Sequence, residues 1–592
     1  MESLAPFVVL ALCATPWLLL VSLRHGVVLA GVIVFAGVPL LVLVLYFLSP
    51  LIGASPSLLL MVTSAALGVL GAILLVPRRS SLRKPSTATV ALVLPATLGG
   101  LAWFATLVLA RLSGADALSW AMNGDSANNI HLARTVLGDN GIVVPLKNLV
   151  LQPTAMLSLA MSFGRPDDAL GAELLHRDLE ALSIFWGLAI AATAALLGIV
   201  AASLLTRGRP AVIAVASGAG SLLVVTWFVS GLPIESGYLN VHFALPLALA
   251  SWLAFLHSGR APWLSAAALL ALGLLLLATW APLVVLTISL TIALGVRNRR
   301  RLRLARWQVL AATAGVAACA AVGGWLLVLP ILQQSAGTLG VPGHGYPFTG
   351  WLLVFCALVT GGCAVGIPRD ASTPLHAGVI ATVLAAVVSV GIFTSLVPGD
   401  QPWIGYYPTK LTYLLTVVLL AIALSTLVRR LAVGRLALLK ATSIGAAVLL
   451  LCTLGPSPAR VDFRIDQPLD RILAAKVWTN GDESVKTILA GTGLDHAVVL
   501  WGTSSPDEAM INFWLFEFNG GEDGGDPYVR KISVAAYRIF RDSGTYTAPS
   551  VGVLCKVVEG LGRQVVVITA NPGLKSEVAE TCPDAPVSVT RE

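Results

Sequence analysis

About fourteen stretches of this chain are apolar over enough residues to have no stable place in water. They lie near 6–23, 27–49, 55–76, 88–110, 181–205, 210–230, 241–257, 263–279, 283–296, 307–332, 350–367, 374–396, 411–428 and 441–455. A helix needs about 20 mostly apolar residues to cross the hydrocarbon core of a bilayer. Within that core every backbone N–H and C=O must be satisfied inside the chain, which leaves helices as the natural solution for such segments. Composition agrees: 57% of residues are hydrophobic and 11% charged, against roughly 25% charged in a soluble domain. The expected fold is therefore a polytopic all-α membrane protein. The segments 263–279 and 283–296 are short, and Trp280-Ala281-Pro282 reads as a tight hairpin between them. The first stretch lacks the basic n-region of a signal peptide and is expected to be retained as a span.

Orientation follows from Lys and Arg in short loops, which favour the cytoplasm. The clusters Arg78-Arg79 with Arg83-Lys84, Arg207/Arg209, Arg260, Arg297 to Arg306, Arg369 and Arg429/Arg430/Arg435/Lys440 all fall on one side of the predicted spans. That puts loop 111–180 outside, with 231–240, 333–349, 397–410 and everything after 456. Residues 1–455 hold twelve Asp or Glu, eight of them between Asp116 and Glu180, and only Asp370 falls in a cytoplasmic loop. The net charge of +8 divides into −5 for 456–592 (13 basic, 18 acidic) and +13 for the rest. The basic excess is topological and gives no reason to expect nucleic acid. The excess of Arg over Lys and the dominance of Ala, Val, Leu and Gly point to a GC-rich bacterial genome, hence to a bacterial plasma membrane.

Two domains are expected: a helical membrane part over 1–455, leaving by Gly455-Pro456-Ser457-Pro458, and an extracytoplasmic tail over 456–592. In the tail, 496–502 (HAVVLWG) and 564–570 (QVVVITA) are short continuous apolar runs that fit buried strands. The stretches 527–543 and 551–560 have helical spacing, so the tail reads as a small α/β domain. Five cysteines lie in spans as small apolar packing residues, whereas Cys555 and Cys582 sit in the tail, where oxidation is permitted. Whether those two pair is open. No metal-binding pattern and no cofactor motif is present; the lone Gly491-Thr492-Gly493 has no strand–helix context.

Chemistry is concentrated in the outer loops. In Asn123-Gly124-Asp125-Ser126-Ala127-Asn128-Asn129-Ile130-His131-Leu132-Ala133-Arg134, helical spacing gathers Asn128, His131, Arg134 and Thr135 opposite an apolar arc. The segment reads as an interfacial helix with its polar face toward water. Asp125 either caps that helix, accepting an N–H from the first turn, or serves as a general base at the membrane surface. His131 and Arg134 either face solvent or contact a phosphate. Lys410, in Tyr406-Tyr407-Pro408-Thr409-Lys410, is the only Lys or Arg outside between 178 and 455. Positive-inside statistics disfavour it there. With the Tyr406 and Tyr407 hydroxyls it is a candidate for holding a lipid phosphate; the alternative is an aromatic-belt anchor with a snorkelling lysine. Glu235 is the only acid in its outer loop and a candidate second carboxylate. Asp139, Lys147 and Asp167-Asp168 are further loop charges, read mainly as solvated, whereas His344 and Tyr346 are candidates to line the same cavity from a fourth loop.

A large outer loop opening on a Gly-Asp motif, a loop helix ending in Ala133-Arg134 and continuing through Leu137-Gly138-Asp139-Asn140-Gly141, a late outer Tyr/Lys segment and an exported C-terminal domain together resemble the GT-C superfamily of polyprenyl-phosphate-dependent glycosyltransferases. The actinobacterial cell-envelope members resemble it most. The resemblance implies that Asp125 matches the family's catalytic acid. It also implies a polyprenyl-phosphate-linked sugar as donor, a cell-envelope glycan or glycolipid as acceptor, and inverting transfer on the outer face. Two features depart from the family: four spans precede the loop, and no second acid adjoins Asp125. The expected mechanism accordingly uses no metal. A lipid-linked glycan flippase or transporter is the alternative from another class, although such proteins usually carry ionisable groups within their spans. A polysaccharide polymerase or ligase relying on Arg165 and Arg177 is the nearer enzymatic rival.

Overall fold

A computed structural model describes residues 2–303, 349–454 and 496–591, apart from 82–83, 113–118, 123–124, 144–149, 166–170, 206–208, 369–373, 398–404, 433, 435, 504–507, 519–549 and 562–563, and also residues 315, 318 and 323–328. Eight of the described helical runs, or nine counting one bent pair, have the length and apolar composition of a membrane span, with the folded-back run Pro262–Arg299 counted as one. This is the pattern of a multi-pass membrane protein. The sequence-based number of fourteen exceeds it partly because Val241–Leu256 and Gly350–Val365 stop at 16 residues and the apolar part of the last helix, Ala437–Ala447, is shorter still. The segment expected at 307–332 lies almost wholly outside the described residues.

The hairpin at Trp280 is present. Pro262–Trp280 ends on an extended Trp280, turns through a 3-10 stretch at Ala281–Leu283, and packs against Val284–Arg303. A Cβ placed on Gly273 would stand 3.2 Å from the Thr287 hydroxyl, a proximity that only a folded-back pair gives. Small residues bring a second group of helices together. Gly99 and Gly100 on Thr87–Leu112 lie against Ser221 and Ala191, and Gly198 on Gly171–Ala202 lies against the Ser217 carbonyl. The Ser217 hydroxyl donates across to the Leu92 carbonyl at 2.7 Å. Apolar side chains supply no net drive between helices in lipid, so close backbone approach and such bonds do the work.

One span is broken. Pro210–Val225 and Trp227–Glu235 meet at 53° around an extended Thr226 (φ −78°, ψ 149°), and the second piece begins as a π-helix over Trp227–Gly231. The Thr226 hydroxyl accepts from Val229 N–H at 3.2 Å and donates to the Leu223 carbonyl at 2.7 Å. Tyr413, from the buried helix Tyr406–Leu431, donates its hydroxyl to the Phe228 carbonyl at 2.6 Å. The backbone groups freed by the break are thus satisfied by side chains, the condition for irregular backbone at membrane depth.

The loop helix Ser126–Gly138 is held at its far end by a turn that needs glycine. Asn140 (φ 56°) and Gly141 (φ 137°) reverse the chain, Gly141 N–H donates to the Val136 carbonyl at 2.8 Å, and Ile142 N–H donates to the Tyr46 carbonyl at 2.8 Å. A Cβ on Gly141 would lie 2.5 Å from the Tyr46 carbonyl oxygen and 2.7 Å from Pro50 Cδ. Gly141→Ala is therefore expected to destabilise by about 1–3 kcal/mol through backbone strain alone. Thermal unfolding in detergent measures it, and an unchanged Tm would show that the turn can relax.

The tail carries a three-stranded parallel sheet: β1 (Ala497–Leu500), β2 (Val565–Thr569) and β3 (Val587–Arg591), in that order. The first two lie within the predicted runs, and Val551–Leu561 forms the predicted helix. Cys555 and Cys582 are joined as a disulfide with Cα atoms 6.0 Å apart. Helix Glu508–Phe518 covers one side. Asn512 brackets the Leu500 backbone with two 2.8 Å bonds, finishing the sheet edge, and Ile511, Trp514 and Leu515 enter the same apolar core as the membrane helices. The predicted helix at 527–543 and Gly491-Thr492-Gly493 lie outside the described residues.

Candidate active site

The first correction concerns Asp125. It precedes the loop helix with φ −74° and ψ 1°, and its side chain accepts no hydrogen bond from the first turn. The helix start is fixed instead through backbone. Asp125 N–H donates to the Ser236 carbonyl at 3.2 Å, and Asn129 Nδ2 donates to the carbonyls of Asp125 (3.1 Å) and Gly237 (3.3 Å). The carboxylate is thereby left uncommitted to its own helix, directly beside the end of the broken span. It is open to water yet has protein mass all around it, so it sits in a recess and not on an outer surface. Burial pushes its carboxyl above the usual range, and the Lys410 ammonium draws it back down.

Lys410 is the counterpart. It is 1% exposed, so the snorkelling alternative does not describe it. Its Nζ lies 5.0 Å from the Tyr238 ring centre, 5.4 Å from Tyr406 and 5.5 Å from Trp280. It donates to Asn240 Oδ1 and to the Tyr406 hydroxyl, both at 3.2 Å. A desolvated ammonium over aromatic faces gains roughly 2 kcal/mol or more, which is how this chain keeps a lysine among apolar helices. Tyr407 forms the wall behind: it stacks on Trp280 (6.4 Å, 8°) and stands edge-on to Tyr406 (5.3 Å, 84°). Four distant segments thus converge: the start of the loop helix, the loop that follows the break, the end of Pro262–Trp280 and the start of Tyr406–Leu431.

Glu235 sits one residue before the carbonyl that receives Asp125 N–H, but its own carboxylate accepts from Trp227 Nε1 at 2.9 Å. It braces the π-helical turn. No hydrogen bond joins it to Lys410 or Asp125 among the described contacts.

His131 and Arg134 do not present a polar face to water. They are 4% and 1% exposed. Arg134 Nε pairs with Asp178 Oδ2 at 2.7 Å, and its Nη1 donates to the Glu517 carbonyl at 2.6 Å and lies 3.3 Å from Glu517 Oε2. His131 Nδ1 is 3.7 Å from Glu517 Oε1, and Arg165 reaches Asp178 Oδ1 at 3.0 Å. The physical reason is coverage: the tail helix packs over the face that looked solvent-directed in isolation. The expected placing of His131 and Arg134 as phosphate ligands is corrected to a buried ionic network. Arg177, the other candidate arginine, pairs with Glu2 at 3.0 Å.

Sequence reasoning missed Asn240, Tyr238 and Trp280 as partners of Lys410, and Asn129 as a brace of Asp125. The only signal for the first three was that Lys410, disfavoured on its side of the membrane, needed company. Asn123-Gly124, Lys147, Asp167-Asp168, His344, Tyr346 and Asp400 to Ile404 lie outside the described residues. Among the described residues no three His, Cys, Asp or Glu side chains gather as a metal site would require. No family model, curated protein or solved structure matches the chain.

Proposed function

We propose that the chain is a membrane glycosyltransferase that moves a sugar from a polyprenyl-phosphate donor to a cell-envelope glycan or glycolipid on the outer face of a bacterial plasma membrane. The observation that carries this reading is a water-accessible carboxylate, Asp125, near enough to the caged Lys410 ammonium to feel its charge, with Tyr238, Asn240 and Tyr406 around that ammonium. Such a pair suits a displacement that must accept a proton at one point and absorb negative charge at another. The Asp125 carboxylate takes the proton of an acceptor hydroxyl. The acceptor oxygen bonds to the anomeric carbon as the carbon–oxygen bond to the phosphate breaks. The electron pair leaves with the polyprenyl phosphate, whose charge Lys410 offsets, and the anomeric configuration inverts. Tyr406 shares its hydroxyl with Lys410 and is the second donor available to the phosphate. Tyr407 acts by shaping the cage.

The 53° break also suits a lipid-linked glycan flippase, since transporters build sites from discontinuous spans. The two readings part in one assay. Purified protein in detergent, given a short-chain polyprenyl-phosphate sugar and an envelope glycan, is expected to form an inverted glycosidic linkage detectable by NMR. Absence of any product, together with movement of the lipid-linked sugar across proteoliposome membranes, would favour the flippase.

A further inference from the structure

The tail joins the membrane part through a charge network, and that network grips the helix that begins at Asp125. We propose that Glu517 is a positioning residue for the Asp125 site, acting through Arg134, so that the C-terminal domain is a working part of the catalytic unit. The inference rests on Asp125 being the base.

Four observations converge on it. Glu517 is fully buried, and its carboxylate and carbonyl both meet Arg134, with His131 of the same helix at 3.7 Å. Arg134 is shared with Asp178 of the long helix Gly171–Ala202, and Arg165 reaches the other Asp178 oxygen, so among the described contacts two guanidinium groups meet two carboxylates. The neighbouring residues Ile511, Trp514 and Leu515 lie in the membrane-part core, so helix Glu508–Phe518 is a fixed support and not a surface passenger. Glu508 fixes the start of that helix to β1, accepting from Gly502 N–H at 3.0 Å and Thr503 N–H at 2.6 Å.

The transmission is mechanical. From Asp125 to Arg134 the rigid helix runs about 13 Å at 1.5 Å per residue. Its start is held by one backbone bond, Asp125 N–H to the Ser236 carbonyl, and by one side chain, Asn129, which donates to the carbonyls of Asp125 and Gly237. A grip on the middle of the helix therefore sets where the carboxylate lies in its recess. The Glu517 charge adds to that grip beyond the carbonyl bond, because Arg134 is buried and its guanidinium lies 3.3 Å from the carboxylate, where losing the opposite charge is costly.

The test uses the full chain with Glu517→Gln, which keeps the side-chain shape and removes the charge, and Arg134→Lys, which keeps the charge and loses the fork. Hydrogen exchange over 126–138 is read together with transfer kinetics. The expected result for Glu517→Gln is faster exchange in the loop helix, kcat lowered at least tenfold and donor KM within about twofold, with Glu517→Asp recovering part of the turnover. Arg134→Lys is expected to lie between, and it covers the case in which Glu517→Gln fails to fold. Unchanged exchange over 126–138 in a folded variant overturns the grip. Faster exchange with unchanged kcat overturns the link to Asp125. Full activity in Asp125→Asn would instead remove the base assignment, and the exchange readout, which needs no turnover, tells the two failures apart.

Discussion

Asp125→Asn is expected to leave a folded, membrane-inserted protein whose sugar transfer is reduced by roughly 10²–10⁴-fold, the usual contribution of a general base. The substitution is nearly isosteric, and the side chain it changes makes no capping bond, so the start of the loop helix keeps its contacts to Ser236 and Asn129. That separates the catalytic from the structural explanation more cleanly than a capping aspartate would allow. Lipid-linked donor should accumulate in cells carrying the variant, and isolated membranes should bind donor without transferring it. A variant that transfers at the wild-type rate would remove Asp125 from the mechanism.

The same residue predicts a pH dependence. A base must be unprotonated to work, and burial raises the Asp125 carboxyl above the ordinary range of about 4. Activity is therefore expected to fall with decreasing pH through a limb that lies above that range. An acid limb of kcat/KM at the pH of an ordinary solvated carboxylate would argue against the recess as the site of chemistry.

Local patterns carried much of the fold. The hairpin at Trp280-Ala281-Pro282 was legible because proline and a short flanking pattern are local signals. The first two strands were legible as continuous valine-rich runs, while β3 was not. Val587–Arg591 is a half-exposed edge whose Ser588 and Thr590 interrupt any apolar run. At the site, Asp125, Lys410 and Tyr406 stood out by charge and placement. Their partners did not, because nothing in the spacing of Tyr238, Asn240 and Trp280 announces that they meet at one ammonium. The Arg134 error has the same origin. Helical periodicity shows which residues share a face but not what covers it, and here the cover arrives from Glu517, 383 residues along the chain. The capping expectation failed for a related reason: a Gly-Asp-Ser sequence before a helix favours a cap locally, but the contact to Ser236 sets a backbone conformation at Asp125 that does not make one.

Lys410→Met should reveal both functions assigned to the lysine at once. Methionine fills the aromatic cage with a flexible apolar chain of similar length, so the helix Tyr406–Leu431, which is also held by Tyr413, should still seat. Two effects are expected. Donor affinity should weaken by roughly 10–100-fold, since a hydrogen bond to a charged group is worth about 1.5–3 kcal/mol. The acid limb of activity should also move to higher pH, because the opposite charge that holds the carboxyl down is gone. The sign follows from the charges: Lys410 holds the Asp125 carboxyl down, so removing it lets burial raise that group further, and a larger fraction of the base is protonated and inactive at any given pH. Lys410→Arg retains the charge but not the compact ammonium that Tyr238, Trp280 and Tyr406 enclose. It should hold the limb near its original place while donor affinity stays weak, because a planar fork does not fit a cage built for a point charge. Coupling between the two residues requires the limb to move in Lys410→Met and not in Lys410→Arg. If it stays put in both, Lys410 binds donor without tuning the base, and if donor KM is also unaltered the lysine has no part in the site.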